Sequence, residues 1–297
     1  MGFKFPVPPG YATEPIWTGN GFLIGSEKRS VLKYTECEIG WDASLTDFHE
    51  KEAEDGSHYI DQASRLHACN ELKNKVQTTS AVILEIGSSS GYLLREIKMS
   101  FPESFLIGSD CIPEPLENIA KKISDIPLIQ FDLVNCPLPD NCVDVVVALN
   151  VLEHIKEDEN ALKQIYRILK PGGYAIIEVP ANRELYDFYD EQLRHFRRYS
   201  LPELKTLTEK AGFAVVHASH LGFFIYPGFK YMKLRNRQKK AMNDVQKQTN
   251  MKKMIQFGGP VINNIFYLLM KVELTLGNFF QYPKGIRCLL LLKKEIE

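Results

Sequence analysis

The stretch from Val82 to Ile97 constrains this chain more than any other part of it. Val82, Ile83 and Leu84 form a short apolar run that meets an acid, Glu85, and then a turn of Gly87, Ser88, Ser89, Ser90 and Gly91. Tyr92, Leu93, Leu94 and Ile97 follow at helical spacing. A brief apolar run that ends in a glycine turn reads as a strand buried on both faces. Gly87 and Gly91 let the chain turn sharply and approach a ligand closely. The turn serines offer hydroxyls and backbone amides beside a helix N-terminus. Glu85 sits at the carboxyl end of the strand, where open α/β sheets bind ligands.

The pattern recurs downstream. Residues 105–110 read as a second apolar strand ending in Asp110, and residues 128–132 as a third ending in Asp132. Residues 143–150 are a fourth, ending in Asn150. A helix marked by Leu162, Ile165, Ile168 and Leu169 stops at Lys170, Pro171, Gly172 and Gly173, and residues 174–179 form a fifth strand. Strands alternating with helices predict a parallel sheet. An acid after a strand can simply cap the next helix, and that role competes with ligand binding for Asp110 and Asp132. Three acids at three strand ends, behind a glycine turn, make coincidence the weaker explanation. Asp144 is assigned to structure, closing the turn at Pro139, Asp140 and Asn141.

Taken together, Glu85, Gly87, Gly91 and the strand-end acids resemble the motifs of class I S-adenosylmethionine-dependent methyltransferases, with Ser89 in place of the middle glycine. The resemblance implies an α/β, Rossmann-like fold: a mostly parallel seven-stranded sheet with helices on both faces. It implies S-adenosyl-L-methionine as cofactor. Gly87, Ser88 and Gly91 would hold its amino-acid moiety, Asp110 the ribose, Asp132 with Leu133 the adenine, and Asn150 the methionine side. Glu85, Ser89 and Cys111 complete the implied cofactor set. A nicotinamide enzyme is disfavoured, because G-x-G-x-x-G would need glycines at Ser89 and Tyr92. A catalytically silent binding module is the third class, kept open by Ser89 and by the lack of an obvious base.

A second segment runs through Asp187, Asp190, His195, Arg197, Arg198, Tyr199 and Ser200, then a helix, then Ala211, Gly212 and Phe213. Ser200 with Glu203 predicts a capping box, with Pro202 in the first turn. The segment resembles a methyltransferase subgroup found in glycan and lipid-linked sugar biosynthesis. That implies a small-molecule or lipid-linked glycan acceptor; a quinone-like acceptor is the alternative. A sugar hydroxyl needs a base, and His154 and His195 are the candidates. The competing role for each is a structural or substrate-contact histidine.

Four regions are expected: an N-terminal extension (1–57), the methyltransferase core (58–220), a basic and amphipathic helical insertion (221–284), and the last strand of the core sheet (285–297). The helix leading into the first strand carries Tyr59 and Arg65, and in related enzymes such a helix lies over the cofactor. Net charge is −1, so bulk charge selects no partner. Its distribution is uneven: residues 36–55 hold eight acids and one lysine, and residues 230–253 hold nine Lys and Arg and one acid. The basic run, with Lys233, Arg235, Arg237, Lys239 and Lys240, is followed by apolar Val261, Ile262, Ile265, Phe266, Leu268, Leu269, Val272 and Leu276. It reads either as a solvated linker before a packing helix or as a surface for anionic lipid. Nucleic acid is not expected, since the aromatics do not interleave with the basic residues. The six cysteines show no C-x-x-C pair and no histidine cluster, which favours reduced thiols and no metal. The N-terminus has prolines and no long apolar run, so no signal peptide is read. The expected location is cytoplasmic, with peripheral attachment at the inner face of the membrane as the variant.

Overall fold

Val, Ile and Leu at successive positions leave the central strands no polar face to turn to solvent, so both of their faces must be covered by other elements. The computed structural model describes residues 3–35, 56–75, 80–237, 259–277 and 279–296. Its main sheet is built from β4 (Val31–Lys33), β5 (Val82–Ile86), β6 (Phe105–Asp110), β7 (Leu128–Gln130), β8 (Val143–Leu149), β9 (Leu169–Pro180), β10 (Ala214–Leu221) and β11 (Arg287–Lys293). Their order across the sheet is β10-β11-β9-β8-β5-β6-β7-β4. Pairing is parallel from β9 through to β4, while β11 runs antiparallel between β9 and β10. The chain moves from β5 outward to β6 and β7, then returns to the other side of β5 as β8. That reversal opens a crevice at the carboxyl ends of β5 and β8.

Helices follow most of the strands: α1 (Tyr59–Lys75), α2 (Tyr92–Ser100), α3 (Pro113–Lys122), α4 (Asp158–Ile168), α5 (Phe188–Gln192), α6 (Leu201–Lys210), α7 (Tyr226–Arg237) and α8 (Gly259–Leu276). Leu84, Ile107, Val146 and Ile177 join one core cluster on one face of the sheet, and Ile83, Leu106, Val145 and Ile176 join a second. This is the period of two expected of strands buried on both sides.

The sheet has eight strands rather than the seven expected. The extra one, β4, comes from the N-terminal extension and pairs Val31, Leu32 and Lys33 with Leu128, Ile129 and Gln130. Three residues are too few to show a periodicity, but they cover the free edge of β7. The extension also forms a small antiparallel sheet of β1 (Ile16–Trp17), β2 (Phe22–Ile24) and β3 (Glu27–Arg29). Phe5 packs on Phe22 at 5.1 Å, and Phe3 stacks on Phe105 at 5.8 Å. The acidic residues 36–55, and Lys239 to Lys253 of the basic run, lie outside the described residues.

Three local expectations change. Asp144 is structural, but not through the turn: its Oδ2 accepts bonds from Val82 N and Lys170 Nζ, both at 2.8 Å. The capping box at Ser200 does not form, because the Ser200 hydroxyl contacts Glu203 at 3.4 Å and Arg183 also engages that carboxylate. A capping box forms at α5 instead, between Asp187 and Asp190. Helix α8 turns its apolar stripe outward. Val261, Ile265, Leu268, Leu269 and Val272 are exposed, while Met270 and Glu273 are buried. Its packed face joins Met270, Tyr267 and Leu274 to an apolar cluster with Leu221, Tyr226 and Ile286, and adds polar bonds: Asn263 accepts from Tyr59 N, and Glu273 accepts from Gly222 N and Phe223 N.

Candidate functional site

The crevice at the ends of β5 and β8 is a cavity of about 760 Å³. One end is made by the turn between β5 and α2. Gly87 has φ 78°, and a Cβ there would meet Val151 Cγ2 at 2.7 Å, so only glycine keeps the path of this turn. Gly87 N and Ser88 N both bond to Ser109 O, which ties the turn to β6. Ser89, at the position of the missing glycine, is itself left-handed with φ 43°. A serine there costs about 1 kcal/mol relative to glycine, and its N–H is held by Asp110 Oδ2 at 3.0 Å.

The strand-end acids Asp110 and Asp132 hold the turns that follow their strands. Asp110 accepts bonds from Ser89 N and from Ile112 N, and Asp132 accepts from Val134 N and Asn135 Nδ2. Both also line the cavity, as do Glu85, Gly87, Ser88, Ser89, Cys111, Leu133 and Asn150. Gly91 is the exception. It precedes α2 with φ 76°, and a Cβ there would press on Ile119 of α3 at 3.0 Å. It shapes the turn without lining the cavity. Two buried acceptor atoms at this end, Glu85 Oε2 and Asn150 Oδ1, have no hydrogen-bond partner. Burial pushes the Glu85 carboxyl up to about 8, against the hydrogen bond from Ser88. Helix α1 contributes Tyr59, Ser64 and Arg65 to the wall. Arg65 is anchored by Glu96 and by Gly56 O.

The other end draws on distant parts of the chain. His154 follows β8 and His195 follows α5, yet their rings meet edge to face with centroids 4.6 Å apart. Both line the cavity. His195 Nδ1 lies 3.0 Å from Asp190 Oδ1, which fixes the ring. Burial holds the His195 imidazolium below its ordinary pKa, and Asp190 opposes this.

Sequence reasoning missed most of what surrounds these histidines. Asp190 also accepts from Arg198 Nε at 2.7 Å and from Lys233 Nζ at 3.0 Å, and Lys233 reaches Asp187 Oδ1 at 2.6 Å. Burial alone would raise the Asp190 carboxyl. The His195 bond and the charges of Arg198 and Lys233 hold it well below the usual carboxylate range instead. Lys233 is 1% exposed, which removes it from the basic surface to which its neighbours assigned it. Its ammonium also lies over the rings of Tyr189 and Phe229, 5.2 and 5.7 Å from their centroids, a cation–π contact that adds to the two carboxylates. Glu153 is fully buried on the cavity wall, and burial pushes its carboxyl up to about 8. Behind the wall, Glu178 accepts from Ser64 Oγ and lies 3.6 Å from Arg287 Nε. No periodicity or spacing marks Glu153, Lys233 or Arg287, since their partners are set only by chain crossings.

Residues 57–218 match the methyltransferase-domain family. The chain is 29% identical over 138 residues to a probable S-adenosylmethionine-dependent methyltransferase of Mycolicibacterium smegmatis, covering 45% of this chain and 52% of that protein. It is 30% identical over 125 residues to an uncharacterized methyltransferase of Bacillus subtilis, covering 41% of this chain and 68% of that one. Against the Mycolicibacterium relative the chain therefore spans about half of that protein's length. A putative sarcosine dimethylglycine methyltransferase from Galdieria sulphuraria shares the fold, with TM-score 0.55, 14% identity, and coverage of 85% of this chain and 98% of that one. With a family match over more than half its length, a switch-point cavity and a glycine turn at the end of β5, the chain belongs to the methyltransferase-domain family, whose cofactor is S-adenosyl-L-methionine.

Proposed function

We propose that this chain transfers a methyl group from S-adenosyl-L-methionine to a hydroxyl oxygen of a sugar, in a glycan or lipid-linked precursor. The observation that carries the reading is one cavity with a cofactor-type turn at one end and two imidazoles at the other. The chain's groups suit the cofactor. The partnerless Glu85 Oε2 and Asn150 Oδ1 are acceptors for an ammonium, and the turn at Gly87 admits a ligand close to the backbone. Ser88 and Ser89 would hold the amino-acid moiety, Asp110 the ribose, and Asp132 with Leu133 the adenine. When bound, the cofactor supplies an electrophilic methyl on a positively charged sulfur. The protein then has to align the acceptor in line with that methyl and exclude water. Helix α1 covers the cavity, and its Tyr59, Ser64 and Arg65 serve that exclusion. His195, fixed at Nδ1 by Asp190, presents Nε2 as a proton acceptor, with His154 beside it.

The lipid-linked acceptor is supported by the outward stripe of α8. Leu268 and Val261 are 60% and 71% exposed, and Phe279 just beyond the helix is 82% exposed. Arg235, Tyr231 and Leu234 are exposed on α7. Apolar side chains with neighbouring basic groups suit shallow insertion into an anionic membrane. No helix among the described residues is long and apolar enough to cross one.

Calorimetry with S-adenosylhomocysteine tests the cofactor, with NAD as the counter-ligand. Methyl transfer to nucleotide sugars, polyprenyl-linked sugars and a quinol tests the acceptor. Turnover of the quinol alone would overturn the sugar assignment. Co-sedimentation with anionic vesicles tests the surface, and a chain that stays in the supernatant at low salt would leave a soluble acceptor.

A further inference from the structure

Glu153, His154 and His195 each present one ligand atom, and the three atoms lie within 4.8 Å of one another. All three residues line the cavity. Glu153 is fully buried, and neither of its carboxylate oxygens has a hydrogen-bond partner. Burying an acidic group with no donor is costly, which asks for a partner that a protein side chain does not supply here. His195 has Nδ1 against Asp190, so Nε2 is the atom left for a ligand. A carboxylate behind a histidine is the usual support of a metal-bound imidazole, because it fixes the tautomer and raises the basicity of the other nitrogen. Asp190 is itself held by Arg198 and Lys233, so the ring is fixed by a buried and fully engaged network.

We propose that Glu153, His154 and His195 form a binding site for one divalent transition-metal cation beside the cofactor pocket. Two imidazole nitrogens and one carboxylate suit the series from Mn to Zn, whereas Mg and Ca prefer oxygen ligands alone. First-row metal–nitrogen distances of ~2.0–2.1 Å require ligand atoms within a few ångströms of one another, and these three lie within 4.8 Å. Three protein ligands leave positions open to the cavity for oxygens of the acceptor.

The inference rests on the methyl-transfer reading for what the ion does, not for its binding. It changes the part played by the two histidines, whose lone pairs go to the cation rather than to the acceptor proton. An acceptor hydroxyl bound to a divalent cation loses its proton to solvent more readily. Its oxygen then forms the new C–O bond while the C–S bond breaks, and sulfur keeps the electron pair.

The test uses the full chain stripped with a chelator and titrated with Co²⁺, whose visible spectrum reports ligand type and number. Zn²⁺ is titrated by calorimetry, and S-adenosylhomocysteine affinity is measured on every sample as the check on folding and on the cofactor site. One ion per chain with a nitrogen and oxygen ligand spectrum is expected. Affinity should fall at least ~10-fold in His154→Ala, in His195→Ala and in Glu153→Gln, with S-adenosylhomocysteine affinity kept. If Glu153→Gln fails to fold, the two histidine variants carry the result. Wild type that binds S-adenosylhomocysteine but no cation overturns the inference. So does a thiolate spectrum, or affinity unchanged in the folded variants; full methyl transfer after the chelator overturns the ion's part in the reaction. A cation bound through these three residues in a chain without affinity for S-adenosylhomocysteine keeps the ion site and overturns the methyl-transfer reading.

Discussion

The two ends of the cavity are built in opposite ways. The turn end comes from nearly continuous chain, β5 to β7 with their loops, and is held mainly by backbone amides bonded to Ser109 O, Asp110 and Asp132. The histidine end gathers Glu153, His195, Arg198, Lys233 and Arg287 from separate loops, helices and the last strand. It is held by charged side chains out of water, with Asp190 at their centre. The first kind of site tolerates change in side chains so long as the backbone keeps its path. The second stands or falls with single side chains, because each buried charge is compensated only by its partners.

The largest expected effect lies at the histidine end. Lys233→Met should lower unfolding stability by about 3–5 kcal/mol, since it leaves Asp187 and Asp190 short of a buried positive charge. Denaturant unfolding measures this, with Arg235→Gln as the exposed control, expected to change stability by less than about 0.5 kcal/mol. A Lys233 variant as stable as that control would mean that the two ends do not differ.

The buried carboxyls should answer pH with opposite signs, and the histidine end holds both kinds: Glu153, which burial pushes up to about 8, and Asp190, which its partners hold low. Burial first, against Ser88 at one and Arg287 at the other, places the carboxyls of Glu85 and Glu178 at about 8 and about 7. Both lie above the ordinary carboxylate value, so the folded chain binds more protons than the unfolded one between pH ~4.5 and ~8. Their stability contribution is full below that window and is lost as pH rises through it. Asp190 is held low instead, so its contribution is present above the ordinary carboxylate pKa and is lost only on acidification. Thermal melts of the cofactor-free chain should fall in Tm from pH 5.5 to 8.5, and Glu85→Gln should flatten that slope. A Tm that rises across the window would contradict the assignment.

At the turn end, Asp110→Ala should weaken S-adenosylhomocysteine binding by about 1–3 kcal/mol, read by calorimetry. The variant loses an acceptor for ligand and also the hold on Ser89 N and Ile112 N. Unchanged affinity would leave Asp110 as a helix cap. The smallest effect is expected for Ser89→Gly, which should stabilise the chain by up to about 1 kcal/mol by relieving the left-handed φ of 43°. A loss of stability there would show that the serine hydroxyl contributes more than the backbone strain removes.

The same division explains which parts of the molecule were legible. Strands β5 to β9 and the helices between them announce themselves through short apolar runs and amphipathic spacing. The strand-end acids follow because strand ends line the crevice of any such sheet. Two elements hid for different reasons. β4 is three residues long, and its strand character comes from β7 offering a free edge. In α8 the apolar periodicity is real, but the face that packs meets distant groups: Met270 joins a cluster with Leu221, Tyr226 and Ile286, and Asn263 and Glu273 bond to groups on α1 and after β10.

The sequence by itself determined the α/β alternation and the turn at Gly87, and of the ten residues that the resemblance assigned to the cofactor, nine line the cavity while Gly91 lies behind it. It also singled out His154 and His195, though not that their rings would touch. Only the tertiary structure decided that Lys233 leaves the basic run for the interior, that Glu153 faces the cavity without a partner, and that α8 shows its apolar stripe to solvent. The physical reason is range. Turn geometry and strand burial are fixed by neighbours in sequence, whereas a buried charge is fixed by whichever distant group the fold brings within a few ångströms of it.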